Sequence, residues 1–171
     1  MTTRLLILSS ALLLAACATS PRVPRGVAEL EPTTGNTAIG RVTFVQNGDT
    51  VLVSGEVRGL APNTEHGFHV HEKGDCTSGD GMSAGGHFNP SGQPHGNHAD
   101  MAHHVGDLPS LKADGAGVAR FSFESPGMTV NGGVRDVMGR GLIVHKDPDD
   151  YTTQPTGNSG ARLACAVISP G

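Results

Sequence analysis

The chain has 171 residues, 36% of them hydrophobic and 16% charged, with a formal net charge of −4. It has no basic run, which argues against nucleic acid as a partner, and its length suits one domain with one core. With 25 Gly and 11 Pro, short strands and long loops are expected rather than helices.

Met1-Thr2-Thr3-Arg4 carries one positive charge, and residues 5–16 are apolar apart from Ser9 and Ser10. A charged start before an apolar run too short to span a bilayer reads as a secretory signal. It closes on Leu14-Ala15-Ala16-Cys17, which resembles the lipobox of bacterial lipoproteins. That resemblance implies a signal peptide over residues 1–16 and a lipidated Cys17, with the membrane touched only through this anchor. An ordinary signal peptide beside a chance cysteine is the alternative. The expected location is the periplasm or cell envelope, and Ala18 after the cysteine, rather than Asp, points to the outer membrane. Residues 17–36 contain Pro21, Pro24 and Pro32 with little hydrophobic pattern, and read as the lipidated cysteine and a flexible tether. The folded domain is expected over residues 37–171.

Within that domain the pattern is all-β. Residues 38–45 and 50–57 are rich in β-branched side chains, with Asn47-Gly48-Asp49 supplying hairpin chemistry between them. Further strands are expected over residues 65–72, 117–123, 141–145 and 162–168. No helical period is convincing after Ala16. Two loops exceed the usual length, one over residues 74–108 and one over 146–161, and loops that long in a compact domain are commonly functional.

Histidine carries the chemistry. The chain has 9, all but one between His66 and His104. They read His66-Gly67-Phe68-His69-Val70-His71, then His87-Phe88-Asn89-Pro90, His95, His98 and His103-His104-Val105-Gly106-Asp107, with His145 closing an apolar run. Side chains alternate along a strand, so His69 and His71 share one face while Phe68 and Val70 share the other. A histidine pair on a solvated strand face is the ordinary alternative, but the further clusters favour metal. Imidazole-rich sites suit copper and zinc, and two rings on one strand suit a tetragonal Cu(II) site. Asp107 is the one acidic ligand close to the last loop histidines. The set reads as a site for two metals.

The cysteines are Cys17, Cys76 and Cys165. If the first carries lipid, an even pair remains, and an exported protein can bridge it. Two free buried thiols are the alternative. A Cys76–Cys165 bridge closes a loop of about 90 residues, for which chain-entropy estimates run to about 4–5 kcal/mol.

Taken together, Gly67-Phe68-His69-Val70-His71-Glu72, His87-Phe88-Asn89-Pro90, His104-Val105-Gly106-Asp107-Leu108, Leu142-Ile143-Val144-His145 and Gly160-Ala161-Arg162-Leu163-Ala164-Cys165 resemble the copper,zinc superoxide dismutase family. The placement of Cys76 resembles its bacterial branch. The resemblance spans about residues 38–168. It implies a flattened Greek-key β-barrel or sandwich of about eight antiparallel strands with two long functional loops. It implies copper ligands His69, His71, His87 and His145, and zinc ligands His87, His95, His104 and Asp107, with His87 shared. It further implies Arg162 as the active-site arginine, Cys76–Cys165 as the disulfide, and Asp149 as a weaker match to an aspartate linking a copper histidine to a zinc histidine. His66, His98 and His103 match no family role.

The implied reaction is the dismutation of superoxide to dioxygen and hydrogen peroxide, with copper and zinc as cofactors and His87 and Arg162 as catalytic residues. Removing residues 1–16 leaves the protein one unit more negative, so attraction of an anion must be local, from Arg162 and Lys73. A metal-storage lipoprotein or an adhesion module is the competing class. Storage favours many equivalent soft ligands, and a degenerate relative would have lost one of His69, His71, His87, His145 or Arg162. Monomer and homodimer both remain compatible with the sequence.

Overall fold

The computed structural model describes residues 23–130 and 132–171. The expected signal peptide, Cys17 and the first part of the expected tether lie outside the described residues. The strands are β1 (Arg25–Pro32), β2 (Ile39–Asn47), β3 (Thr50–Arg58), β4 (Glu65–His66), β5 (Phe68–His71), β6 (Leu111–Lys112), β7 (Ala119–Pro126), β8 (Gly141–His145), β9 (Arg162–Val167) and β10 (Ser169–Pro170). Among the described residues the helical content is one 3-10 turn, Met82–Ala84.

Eight strands form one antiparallel sheet in the order β5-β8-β9-β1-β2-β3-β7, with β10 pairing β1, while β4 and β6 form a separate two-stranded ladder. The sheet is curled. Its terminal strands β5 and β7 meet across the interior, where the Phe68 and Phe121 rings lie edge to face at 5.3 Å between centroids. The result is the all-β Greek-key barrel of about eight strands expected from the sequence.

One boundary is corrected. The tether expected over residues 17–36 does not extend to 36, because Arg25–Pro32 is a strand at the middle of the sheet. β1 pairs with β2 through Arg25–Leu30, then passes to β9 through Glu31 and Pro32. It thereby joins the two halves of the barrel. Its inward residues Ala28 and Leu30 are buried in the core.

Alternation sorts the site strands as expected. Phe68 and Val70 enter the main core with Leu142 and Val144, each worth roughly 1.5–3 kcal/mol of apolar burial. Ile143 faces the other way and packs with Ala84, Cys165 and Cys76 in a second, small cluster. Cys76 and Cys165 are disulfide-bonded. The bridge fastens the first long loop to β9, directly over that second cluster.

Candidate metal centre

The first long loop returns twice to the free edge of β5. Phe88 N donates to Val70 O at 2.8 Å, Gly106 N to Phe88 O at 2.9 Å, and Val70 N to Gly106 O at 2.9 Å. Backbone bridges set His71 opposite His87 and His69 opposite Asp107. A loop with little strand character thus delivers its ligands by pairing with a rigid strand. On the other side of β5, β8 ends at a register shift between Val144 and His145. Such irregularities re-aim a side chain, here the His145 ring.

The structure brings two groups together, His69, His71, His87 and His145 in one, and His87, His95, His104 and Asp107 in the other, all buried. In the first group each nitrogen turned away from the centre is held. His69 Nε2 meets Asp149 Oδ2 at 2.6 Å, His71 Nδ1 donates to Gly85 O at 2.9 Å, and His145 Nδ1 donates to Gly160 O at 3.3 Å. The opposite nitrogens are left facing inward, and His71 Nε2 lies 3.3 Å from His145 Nε2. His69 Nδ1 and His87 Nε2 are buried with no hydrogen-bond partner. An unsatisfied buried polar atom costs about 1–3 kcal/mol, and two of them in one nitrogen-lined pocket fit a metal.

The second group converges more tightly. Nδ1 of His87, His95 and His104 lies 2.9, 3.0 and 3.3 Å from Asp107 Oδ1. Bonds of about 2.0 Å in a tetrahedron space the ligand atoms about 3.3 Å apart, so this donor set matches a closed zinc site. The other carboxylate oxygen, Asp107 Oδ2, accepts from His104 N at 2.8 Å and Gly96 N at 3.1 Å, which fixes its direction. His87 belongs to both groups, offering Nδ1 to one and Nε2 to the other.

Asp149 ties the groups together a second time. Besides His69 it binds His95, Oδ1 to Nε2, at 2.8 Å. Its place in the loop requires Gly157, which has φ 66° and whose added Cβ would collide with Asp149 Oδ1 and His95 Nε2. Tyr151 N donates to Asp149 Oδ1 at 2.9 Å, and the Tyr151 hydroxyl reaches Ser110 Oγ at 2.9 Å, pinning this loop to the barrel.

The electrostatics of the metal-free protein suit cation binding. Burial pushes His87 down to about 4, and lowers His69, His71 and His145. Their lone pairs are therefore open at neutral pH. Burial works to raise Asp107 and Asp149, but hydrogen bonds from the surrounding histidines hold both well below the usual carboxylate range. Burial also works to lower His95, yet its bonds to Asp107 and Asp149 outweigh it and raise the ring to about 9.

Arg162 opens β9 and its guanidinium is clamped, Nη1 donating to Gly81 O and Nη2 to Gly85 O, both at 2.6 Å. Burial draws it below its ordinary value, opposed by the charge of Asp80. Lys73 is exposed on the same loop, its backbone N bonded to Ala84 O at 3.0 Å.

Two histidines without an expected role turn out to support ligands. His66 is buried, with Nδ1 donating to His145 O at 2.8 Å and Nε2 taking the Thr64 hydroxyl at 2.7 Å. His98 Nδ1 donates to Asp107 O at 2.9 Å. His66 lies in β4, out of step with the alternation that puts His69 and His71 on one face of β5, so its spacing carried no signal of this role. His103 lies outside both groups and bonds to His104 O at 2.6 Å.

An antiparallel barrel whose buried histidines form two ligand sets joined by one shared imidazole is a binuclear metalloprotein. Residues 38–168 match the copper/zinc superoxide dismutase (SODC) family. The chain is 39% identical over 145 residues to a copper-zinc superoxide dismutase of Aquifex aeolicus (strain VF5), covering 82% of this chain and 84% of the relative. It is 43% identical over 135 residues to the copper-zinc superoxide dismutase of Paramecium bursaria Chlorella virus 1, covering 75% and 71%. The crystal structure of the clock protein EA4 superposes with a TM-score of 0.78 at 37% identity, covering 90% of this chain and 99% of that one. The chain belongs to the copper/zinc superoxide dismutase family. It is an oxidoreductase that dismutes superoxide and takes copper and zinc as cofactors.

Proposed function

We propose that copper is held by His69 Nδ1, His71 Nε2, His87 Nε2 and His145 Nε2, and zinc by Nδ1 of His87, His95 and His104 with Asp107 Oδ1. The observation that carries this reading is the division of His87, whose Nδ1 sits in the carboxylate-containing set while its buried Nε2 lacks a protein partner. An all-nitrogen set suits copper, and a closed three-histidine, one-aspartate set suits structural zinc. When bound, copper supplies the one-electron redox couple, and zinc supplies fixed charge and geometry.

The reaction converts two superoxide anions and two protons into dioxygen and hydrogen peroxide. Arg162 docks the anion with a permanent positive charge, its fork fixed by Gly81 and Gly85. Lys73 adds charge on the same loop. With Nδ1 occupied by zinc, His87 Nε2 would be the site that takes up a proton when it is not a ligand and gives it to the departing peroxide. Membership with Asp107 in one ligand set would keep the His87 ring in place meanwhile, and Asp149 keeps His69 and His95 in their tautomers and orientation.

Asp107→Ala tests the division of the two metals. Zinc affinity and melting temperature fall together while copper still binds, because metal binding contributes to folding. Unchanged zinc occupancy and melting temperature would contradict the assignment.

We also propose that the protein is exported and works in the periplasm or cell envelope, lipid-anchored through Cys17 to the outer membrane. Support comes from Leu14-Ala15-Ala16-Cys17 after an apolar run. Cys17→Ser is expected to release the protein from the membrane fraction with its dismutase activity intact. A wild-type protein found wholly soluble with an unmodified Cys17 would remove this reading.

A further inference from the structure

The second long loop grips the histidine centre at a point the mechanism does not use. The side-chain amide of Gln154 engages both backbone polar groups of His95. Gln154 Oε1 accepts from His95 N at 2.9 Å, and Gln154 Nε2 donates to His95 O at 2.9 Å, across 59 positions of sequence. His95 lies in an irregular stretch outside every strand. Among the described residues no other backbone group bonds its N or O. The same loop holds the His95 ring, through Asp149 at Nε2. Backbone and ring of this one residue are thus both fixed from residues 149–154.

We propose that Gln154 is a positioning residue for His95, its two-point amide clamp setting how tightly the His87, His95, His104 and Asp107 group retains zinc. This rests on the zinc assignment above. His95 Nδ1 must be aimed at the other three ligand atoms, and that aim depends on the direction of the Cα–Cβ bond as well as on the ring. Asp149 controls the ring alone. Without Gln154 the backbone of residue 95 has no fixed partner, and aiming Nδ1 must be accomplished by metal binding itself. Gln is the residue type that fits the task. One side chain has to accept at one atom and donate at another. A carboxylate in its place would accept from His95 N but set a negative oxygen against His95 O. A methionine would fill the space and bond neither.

The test uses the full, disulfide-bonded, copper-loaded protein, titrated with zinc against a chromophoric chelator, in wild type, Gln154→Met, Gln154→Glu and Asp107→Ala. Cobalt(II) added to the zinc site supplies a visible spectrum that reports ligand geometry independently of activity. Gln154→Met is expected to weaken zinc about 10–100-fold, the range typical of lost outer-shell partners, and to alter the cobalt bands, with copper retained. Gln154→Glu is expected to be at least as weak despite its similar shape, which a loss of packing alone would not produce. If both variants bind zinc as wild type does while Asp107→Ala is weakened, the clamp has no positioning role and the zinc assignment stands. If Asp107→Ala also binds zinc normally, the assignment itself is wrong and the proposal goes with it.

Discussion

His71 and Arg162 are tied to the same atom. The carbonyl oxygen of Gly85 accepts from His71 Nδ1 at 2.9 Å and from Arg162 Nη2 at 2.6 Å. One backbone group therefore sets the orientation of a histidine of the first ligand set and the position of the Arg162 charge relative to it. Gly85 has φ 75°, and an added Cβ would collide with Glu72 Oε1, so glycine is required there on two counts. The Cys76–Cys165 bridge holds the same loop against β9, the strand that Arg162 opens.

Arg162→Ala leaves both ligand sets intact, so copper and zinc contents are expected to stay near wild type while the superoxide rate falls severalfold or more. The rate also becomes less sensitive to ionic strength, because salt screens a field that is no longer there. Arg162→Lys recovers part of the loss, restoring charge without the planar fork. Pulse-radiolysis or stopped-flow rates across a salt series measure this. A wild-type rate for Arg162→Ala at low salt would misplace the substrate site.

Asp149 binds one histidine from each ligand set, so its removal acts on both metals. Asp149→Ala is expected to lower copper and zinc affinity, each about 10–100-fold. Gly157→Ala is expected to act in the same direction, since its Cβ displaces Asp149 and His95 without removing either. Competition titrations with each metal decide it. A loss confined to one metal in Asp149→Ala would show that the link is not shared.

The metal-free protein should be most stable near neutral pH, because His69, His71 and His145, lowered by burial like His87, carry the maximum above their ordinary 6.5. His87 is held at about 4 in the fold against an ordinary 6.5. It binds fewer protons folded than unfolded, so its contribution is complete above pH 6.5 and is lost as pH falls through about 4. Asp107 and Asp149, also depressed, add loss in the acid range below their ordinary 3.8. His95 is raised to about 9 and acts in the opposite sense. Its contribution is complete below pH 6.5 and disappears as pH rises through about 9. Denaturant melts of the chelated protein between pH 4 and 10 should trace a maximum with two falling limbs. Stability that keeps rising from neutral pH to pH 9 would contradict the raised His95.

Much of the fold was legible because it lies in alternation. The strand at residues 141–145 coincides with β8, and the expected split of Phe68 and Val70 from His69 and His71 is the split observed. β1 was hidden. Its inward positions are Gly26, Ala28 and Leu30, two of them too small to give a hydrophobic signal, and Pro24 and Pro32 flank it. Its pairing with β2 and β9 supplies what the segment does not show by itself. In the site, residues spaced along β5 or stepped toward Asp107 could be read from the chain. Contacts made to backbone could not. The bonds of His66 to His145 O and of Gln154 to His95 leave no periodicity, and depend on loops brought together by the barrel.

Metal add-back to the chelated protein tests whether a histidine-bridged copper and zinc pair dismutes superoxide in this chain. Copper and zinc are returned singly and together, while metal content and superoxide decay are measured on the same samples. The predicted result is one copper and one zinc per chain, with no dismutation from zinc alone and full dismutation once copper is restored beside zinc. Stoichiometric binding of both metals with superoxide decaying no faster than in the metal-free protein would contradict it.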